Sequence, residues 1–159
     1  MSEFIEFTCN SAAVKAALEQ CAERILIESA AMLESQVKRN TEVDSAHTKE
    51  SWDHVIDLSK NEAIVGSPLE NAVWEEFGTG DYAVKKGRKG KPWYVPVEGY
   101  AGKKKPTYKG KVIIVYGKNG RMYYKTNGKK PRRALHKAFE SKKSAVMHNA
   151  RKIVKEEMK

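Results

Sequence analysis

Residue types able to do chemistry are few and scattered in this chain. Glu75 and Glu76 stand side by side in Trp74-Glu75-Glu76-Phe77-Gly78-Thr79-Gly80. Neighbours in a helix or a strand point to different faces, so the two carboxylates do not make a facing acid/base pair. One is expected to be solvated and the other, Glu76, to be held by backbone N–H groups of the glycine turn that follows. His47, His54, His136 and His148 show neither HxxxH nor HExxH spacing, and Cys9 and Cys21 add no zinc pattern. Gly78-x-Gly80-x-x-Ala83 has the outline of a dinucleotide fingerprint, but a Lys/Gly tract follows where a helix N-terminus is needed. Neither a GxxxxGK(S/T) phosphate loop nor a GxSxG nucleophile turn occurs. These missing constellations point away from an enzyme, with no catalytic residue, metal or cofactor expected.

Binding chemistry is better represented. The formal charge is +10 over 159 residues, and it is concentrated: residues 81–133 hold 17 Lys/Arg against Asp81 and Glu98, while the rest of the chain is net −5. Such a segment suits nucleic acid or an acidic protein surface. Tyr82, Trp93, Tyr94, Tyr100, Tyr108, Tyr116, Tyr123 and Tyr124 interleave with its lysines, a mixture that nonspecific single-strand binders use for stacking and phosphate neutralisation. Tyrosine is equally at home in ordinary strands. No apolar run approaches a membrane span. The acidic start, Met1-Ser2-Glu3-Phe4-Ile5-Glu6, lacks the features of a signal peptide, and two unpatterned cysteines suit a reduced, cytosolic setting.

The elements that must position these residues are legible from periodicity. Val14, Leu18, Cys21, Ile25, Met32 and Val37 recur at helical spacing, predicting a helix from Asn10 or Ser11 to about Arg39 with one of those two residues as N-cap. Trp52, His54, Ile56 and Leu58 alternate at period two, predicting a strand; Ser59-Lys60-Asn61 turns it into a second, Glu62–Gly66. Gly78 and Gly80 permit positive φ, so residues 74–80 read as a structural elbow after a short buried piece at Asn71–Val73. Beyond it, Tyr82–Val84 and Pro92–Val97 read as short extended pieces, and the Lys/Gly tracts 85–91 and 102–106 as flexible loops. Lys111–Tyr116 and Arg121–Lys125 flank Gly117-Lys118-Asn119-Gly120, in which Asn119-Gly120 is a favoured two-residue hairpin turn. Pro131 opens a final helix running to Met158, with Leu135, Phe139, Val146, Ala150, Ile153 and Val154 facing inward. The order suits one α+β domain, 1–159: a mostly antiparallel sheet with two long helices on one face and a basic β-rich arm inserted at about 81–130.

Ala72-Val73-Trp74-Glu75-Glu76-Phe77-Gly78-Thr79-Gly80 resembles the Y-A-x-x-x-E-(F/Y)-G-T signature of the gene-product-ten-like minor structural proteins of long-tailed double-stranded-DNA phages and prophages. Ala63-Ile64-Val65-Gly66-Ser67 and Lys130-Pro131-Arg132-Arg133-Ala134-Leu135-His136-Lys137-Ala138 are similar to two further segments of that family. Asn71 stands where the family usually has tyrosine, and 79–130 is longer and more basic than its pattern. The resemblance implies a non-enzymatic virion protein that completes the tail and joins it to the head, made in the host cytoplasm. It implies a homo-oligomeric ring, six-fold in such proteins, formed on a template. Its partners would be the head-tail connector and tail-tube or tail-terminator proteins, with possible nonspecific contact with DNA in the lumen. Trp74, Glu76 and Phe77 at the elbow and Trp93, Tyr94, Lys103, Lys104 and Lys105 on the arm are the candidate interface residues. The second class of function consistent with the residues is a sequence-nonspecific nucleic-acid-binding module.

Overall fold

The computed structural model describes residues 9–42, 46–84, 92–97, 113–118 and 120–158. In chain order these form α1 (Ser11–Asn40), α2 (His47–Glu50), β1 (Asp53–Asp57), β2 (Glu62–Gly66), α3 (Glu70–Phe77), a 3-10 turn (Gly80–Tyr82), β3 (Trp93–Pro96), β4 (Ile113–Tyr116), β5 (Met122–Thr126) and α4 (Ala134–Glu157). The expected α+β class is what the structure shows: antiparallel strands, with long N- and C-terminal helices packed together. Two compact units emerge, Met1–Leu69 with Ala134–Lys159, and Glu70–Arg133. The elbow lies inside the second of these units, and Tyr82, expected in an extended piece with Ala83 and Val84, closes the 3-10 turn instead. Among the described residues, no helix is long and apolar enough to cross a membrane.

In the first unit α1 packs against α4 along one side and against the β1-β2 hairpin along another. Cys21, Ala30 and Val37 of α1 and Ala138 and Ile153 of α4 are buried there. Val14 and Leu18, expected in the stripe, are 45% and 49% exposed. The reason is length: thirty residues of α1 span about 45 Å and the twenty-four of α4 about 36 Å. Asn40 Nδ2 donates to the Ala134 carbonyl at one end, and Arg24 reaches Glu157 at the other. The two helices are thus antiparallel, and the first turns of α1 overhang. Phe139, also assigned inward, is 48% exposed. Asn10 occupies the N-cap position without a side-chain capping bond; its carbonyl accepts the Val14 N–H at 3.0 Å, the first bond of the helix ladder. At the other end buried Thr41 caps the helix, its Oγ1 and N–H both donating to the Val37 carbonyl.

Trp52 precedes β1 and is buried, Val55 is exposed on the other face, and Leu58 falls in the turn, where it is exposed. Asn61 takes a positive φ of 51° there, a conformation asparagine tolerates better than most residues. α2 has no counterpart in the periodicity, being one turn of polar residues.

The second unit contains a three-stranded antiparallel sheet in the order β3-β5-β4. The expected hairpin of β4 and β5 forms, but not through a two-residue turn: Tyr116 lies opposite Met122, Gly117 N–H donates to the Arg121 carbonyl, and Gly120, at φ 72°, donates to the Gly117 carbonyl, so three residues make the connection. Trp93–Pro96 then pairs with β5 on its other side. The extended pieces expected at 92–97, 111–116 and 121–125 thus meet, over their described residues, in one sheet, with Val95, Tyr124 and Ile114 side by side across its three strands. The Lys85–Lys91 and Gly102–Pro106 tracts, with Lys103, Lys104 and Lys105, lie outside the described residues.

Candidate functional site

The elbow is a clasp between two backbone segments of the second unit. α3 ends where Gly78, at φ 70°, donates to the Trp74 carbonyl at 2.9 Å, the left-handed C-terminal stop that glycine allows. The chain then runs beside residues 127–132. Thr79 N–H donates to the Lys129 carbonyl, and Lys129 N–H donates back to Thr79 Oγ1, both at 2.9 Å. Asp81 N–H donates to the Asn127 carbonyl at 2.9 Å, and Arg132 N–H to the Glu75 carbonyl at 2.7 Å.

Glycine is required by this approach as well as by the dihedrals. A Cβ on Gly80, at φ 61°, would sit 2.1 Å from the Asn127 carbonyl oxygen; one on Gly128 would sit 2.1 Å from the Thr79 oxygen; one on Gly78 would meet Lys129 and Pro131 at 2.8 Å. The expected elbow is thus present, and its purpose is to let two backbones touch. Pro131 belongs to this clasp, so α4 starts three residues later than expected, after Arg133 takes a positive φ of 56°.

The two glutamates differ as argued in one respect only. Glu76 turns inward and is 8% exposed. Glu75, expected to be solvated, instead ion-pairs with Lys129, while Arg132 Nε lies 3.2 Å from its other oxygen. Arg132 is not aligned for a hydrogen bond there. The paired cations come from the returning segment, which local sequence about the elbow could not disclose. Asn127-Gly128 was the one available signal, a turn dipeptide whose partner segment is remote. Trp74 and Phe77 share a face of α3, three residues apart, and are 49% and 47% exposed. Lys130 Nζ stands 5.7 Å from the Tyr82 ring centroid, within cation–π range.

In the first unit, Glu34, Asp53 and His54 bring ligand-type atoms within 4.8 Å of one another, a cluster that spacing arguments missed because helix-hairpin packing assembles it. These three could hold a cation. Here both Glu34 oxygens are already engaged, one by Lys38 and the other by His54 Nδ1. Bonds from Lys38, then from His54, hold the Glu34 carboxyl below its ordinary range. The cluster ties α1 to β1. Arg24 pairs with Glu28 one turn along α1 and, across the helix pair, with Glu156 and Glu157, while Asn149 Nδ2 of α4 donates to Glu28 at 2.6 Å.

Of the arm residues, Trp93 and Tyr94 are on β3. Tyr94 is 54% exposed and Trp93 half-buried on the opposite face. No protein-family model, curated protein or solved structure matches the chain.

Proposed function

We propose that this chain is a virion structural protein that completes the tail of a long-tailed double-stranded-DNA phage or prophage and joins it to the head, acting by ring assembly and subunit contacts. The observation that carries the reading is the clasp. The stretch that resembles the family signature is used for architecture: Thr79 hydrogen-bonds to the returning backbone, Gly78 and Gly80 let that backbone approach, Glu76 is buried, and the neighbouring Glu75 binds its cations. Catalysis would want such groups free. What the motif leaves outward is Trp74 and Phe77, aromatics of the kind that anchor protein interfaces when displayed on a rigid element. Glu70–Arg133 carries 17 Lys/Arg and 5 Asp/Glu, a net +12, which favours acidic neighbours at a connector or tail-tube surface.

Deletion of the coding sequence from the particle-producing genome, followed by electron microscopy of the lysate, tests this. Filled heads and unattached tails are expected, with joining restored by the wild-type protein and not by a folded Trp74→Ala/Phe77→Ala variant. Complete, infectious particles in the deletion strain would end the reading.

A further inference from the structure

The three-stranded sheet of the second unit offers a face that the clasp does not use. Strand register places Tyr94, Lys125 and Ile113 in one cross-strand row, and Pro96, Tyr123 and Val115 in the next. Residues in these rows point to the same side. Tyr94 and Ile113 are more than half exposed, and Lys125 is exposed. Among the described residues, no helix packs broadly against this sheet. Tyr94, Tyr123, Val115 and Lys118 line a shallow open groove across it.

We propose that this face binds single-stranded nucleic acid without sequence preference, independently of the assembly role. Three features select that occupant. First, the unit's charge of +12 is complementary to a polyanion. Second, Tyr94 and Tyr123 are diagonal cross-strand neighbours, about 7–8 Å apart at the backbone. That spacing accommodates one base between or across their rings, given a base thickness of about 3.4 Å. Third, Lys125 stands beside Tyr94 and two residues from Tyr123 on the same face, while Lys118 stands at the rim of the groove. Each stacking position therefore has a lysine in its own or the adjoining cross-strand row, or at the groove. Ring faces with flanking cations are what a flexible single strand needs, because every base has a π-face and every linkage a charge. A duplex hides its base faces and would engage only the lysines.

The test is fluorescence anisotropy of the full chain with a labelled oligothymidylate of about 16 nucleotides, across a salt series. Tyr94→Ala is expected to weaken binding about tenfold and Tyr94→Phe to leave it near wild type, since stacking and not the hydroxyl is used. Lys125→Ala should weaken binding and reduce the slope of log affinity against log salt by about 0.7. Unchanged affinity in Tyr94→Ala, equal affinity for duplex of the same length, or displacement by polyglutamate as effective as by unlabelled oligothymidylate would each overturn the proposal. Ultraviolet crosslinking of the wild-type chain removes dependence on variant folding: adducts are expected on the β3 and β5 peptides, and adducts confined elsewhere refute the site.

Discussion

Replacing Gly80 by alanine isolates the clasp from ordinary glycine effects. Three glycines differ in what an added methyl meets. Gly66 has a strand conformation and open space; Gly120 has φ 72° and open space; Gly80 has φ 61° and the Asn127 carbonyl oxygen 2.1 Å from the new carbon. Forcing a non-glycine residue into the left-handed region costs about 1–2 kcal/mol, which is the whole expected loss at Gly120. At Gly80 the obstacle is backbone and cannot rotate away, so the two segments must separate. The Asp81–Asn127 bond and the reciprocal Thr79–Lys129 pair are then lost or stretched. At about 1 kcal/mol each, with the strain added, these amount to about 3–5 kcal/mol. Gly66→Ala should lie between neutral and about 1 kcal/mol stabilising. Because the unit can open locally, hydrogen exchange of the Thr79 and Asp81 amides is the assay, alongside urea melts. Faster exchange at both amides in Gly80→Ala than in Gly120→Ala is expected. Equal losses in the two variants would refute the claim that backbone contact, and not the dihedral alone, fixes glycine there.

Glu76→Ala should destabilise the second unit by about 1–3 kcal/mol, since a buried, partnered carboxylate is removed. Glu75→Ala should cost about 0.5–1 kcal/mol, its partners Lys129 and Arg132 being well exposed and screened; urea midpoints of the two variants check the order. The Glu34 carboxyl is depressed by Lys38 and His54, so its contribution is present above the ordinary glutamate value near 4.5 and is lost as pH falls through its lower folded value. Acid titration of Glu34→Gln should therefore show a shallower loss of stability below that pH than wild type. Arg24→Ala should lower the melting temperature slightly in dilute buffer, with the difference vanishing in high salt because the whole Arg24 cluster is solvent-accessible; calorimetry at two salt concentrations measures this.

Periodicity carried the helices and hairpins because each signal is local. The 3.6-residue repeat set α1 almost to the residue, and the two apolar runs set β4 and β5, although the connection between them is one residue longer than the Asn-Gly rule implies. What it could not carry was distance. The stripe of α1 says nothing of where α4 ends, so Val14 and Leu18 were counted as core although they overhang. The proline rule placed Pro131 in a helix because the rule sees only φ; the structure uses the same residue against Gly78. At the elbow, two glycines with positive φ were readable, whereas the partner segment 127–132, some fifty residues on, was not. Glu75 was therefore misassigned to solvent. The Glu34–His54 pair was invisible for the same reason. The alternating Tyr, Val and Ile between the Lys/Gly tracts are legible as strands, but their partnership is not: β3 pairs with β5, some thirty residues on, and no local pattern encodes that.

If this chain is a subunit of the head-tail junction, as proposed, it must be found in the neck of the particle. Cryo-electron microscopy of particles released by cells encoding it tests that directly, with the fold docked into the density of the neck. A closed ring of this chain is expected at the tail's head-proximal end, with the α3 face bearing Trp74 and Phe77 buried against a neighbour. Particles whose neck density is filled by other proteins, with this chain absent from the purified virion, would contradict the proposal.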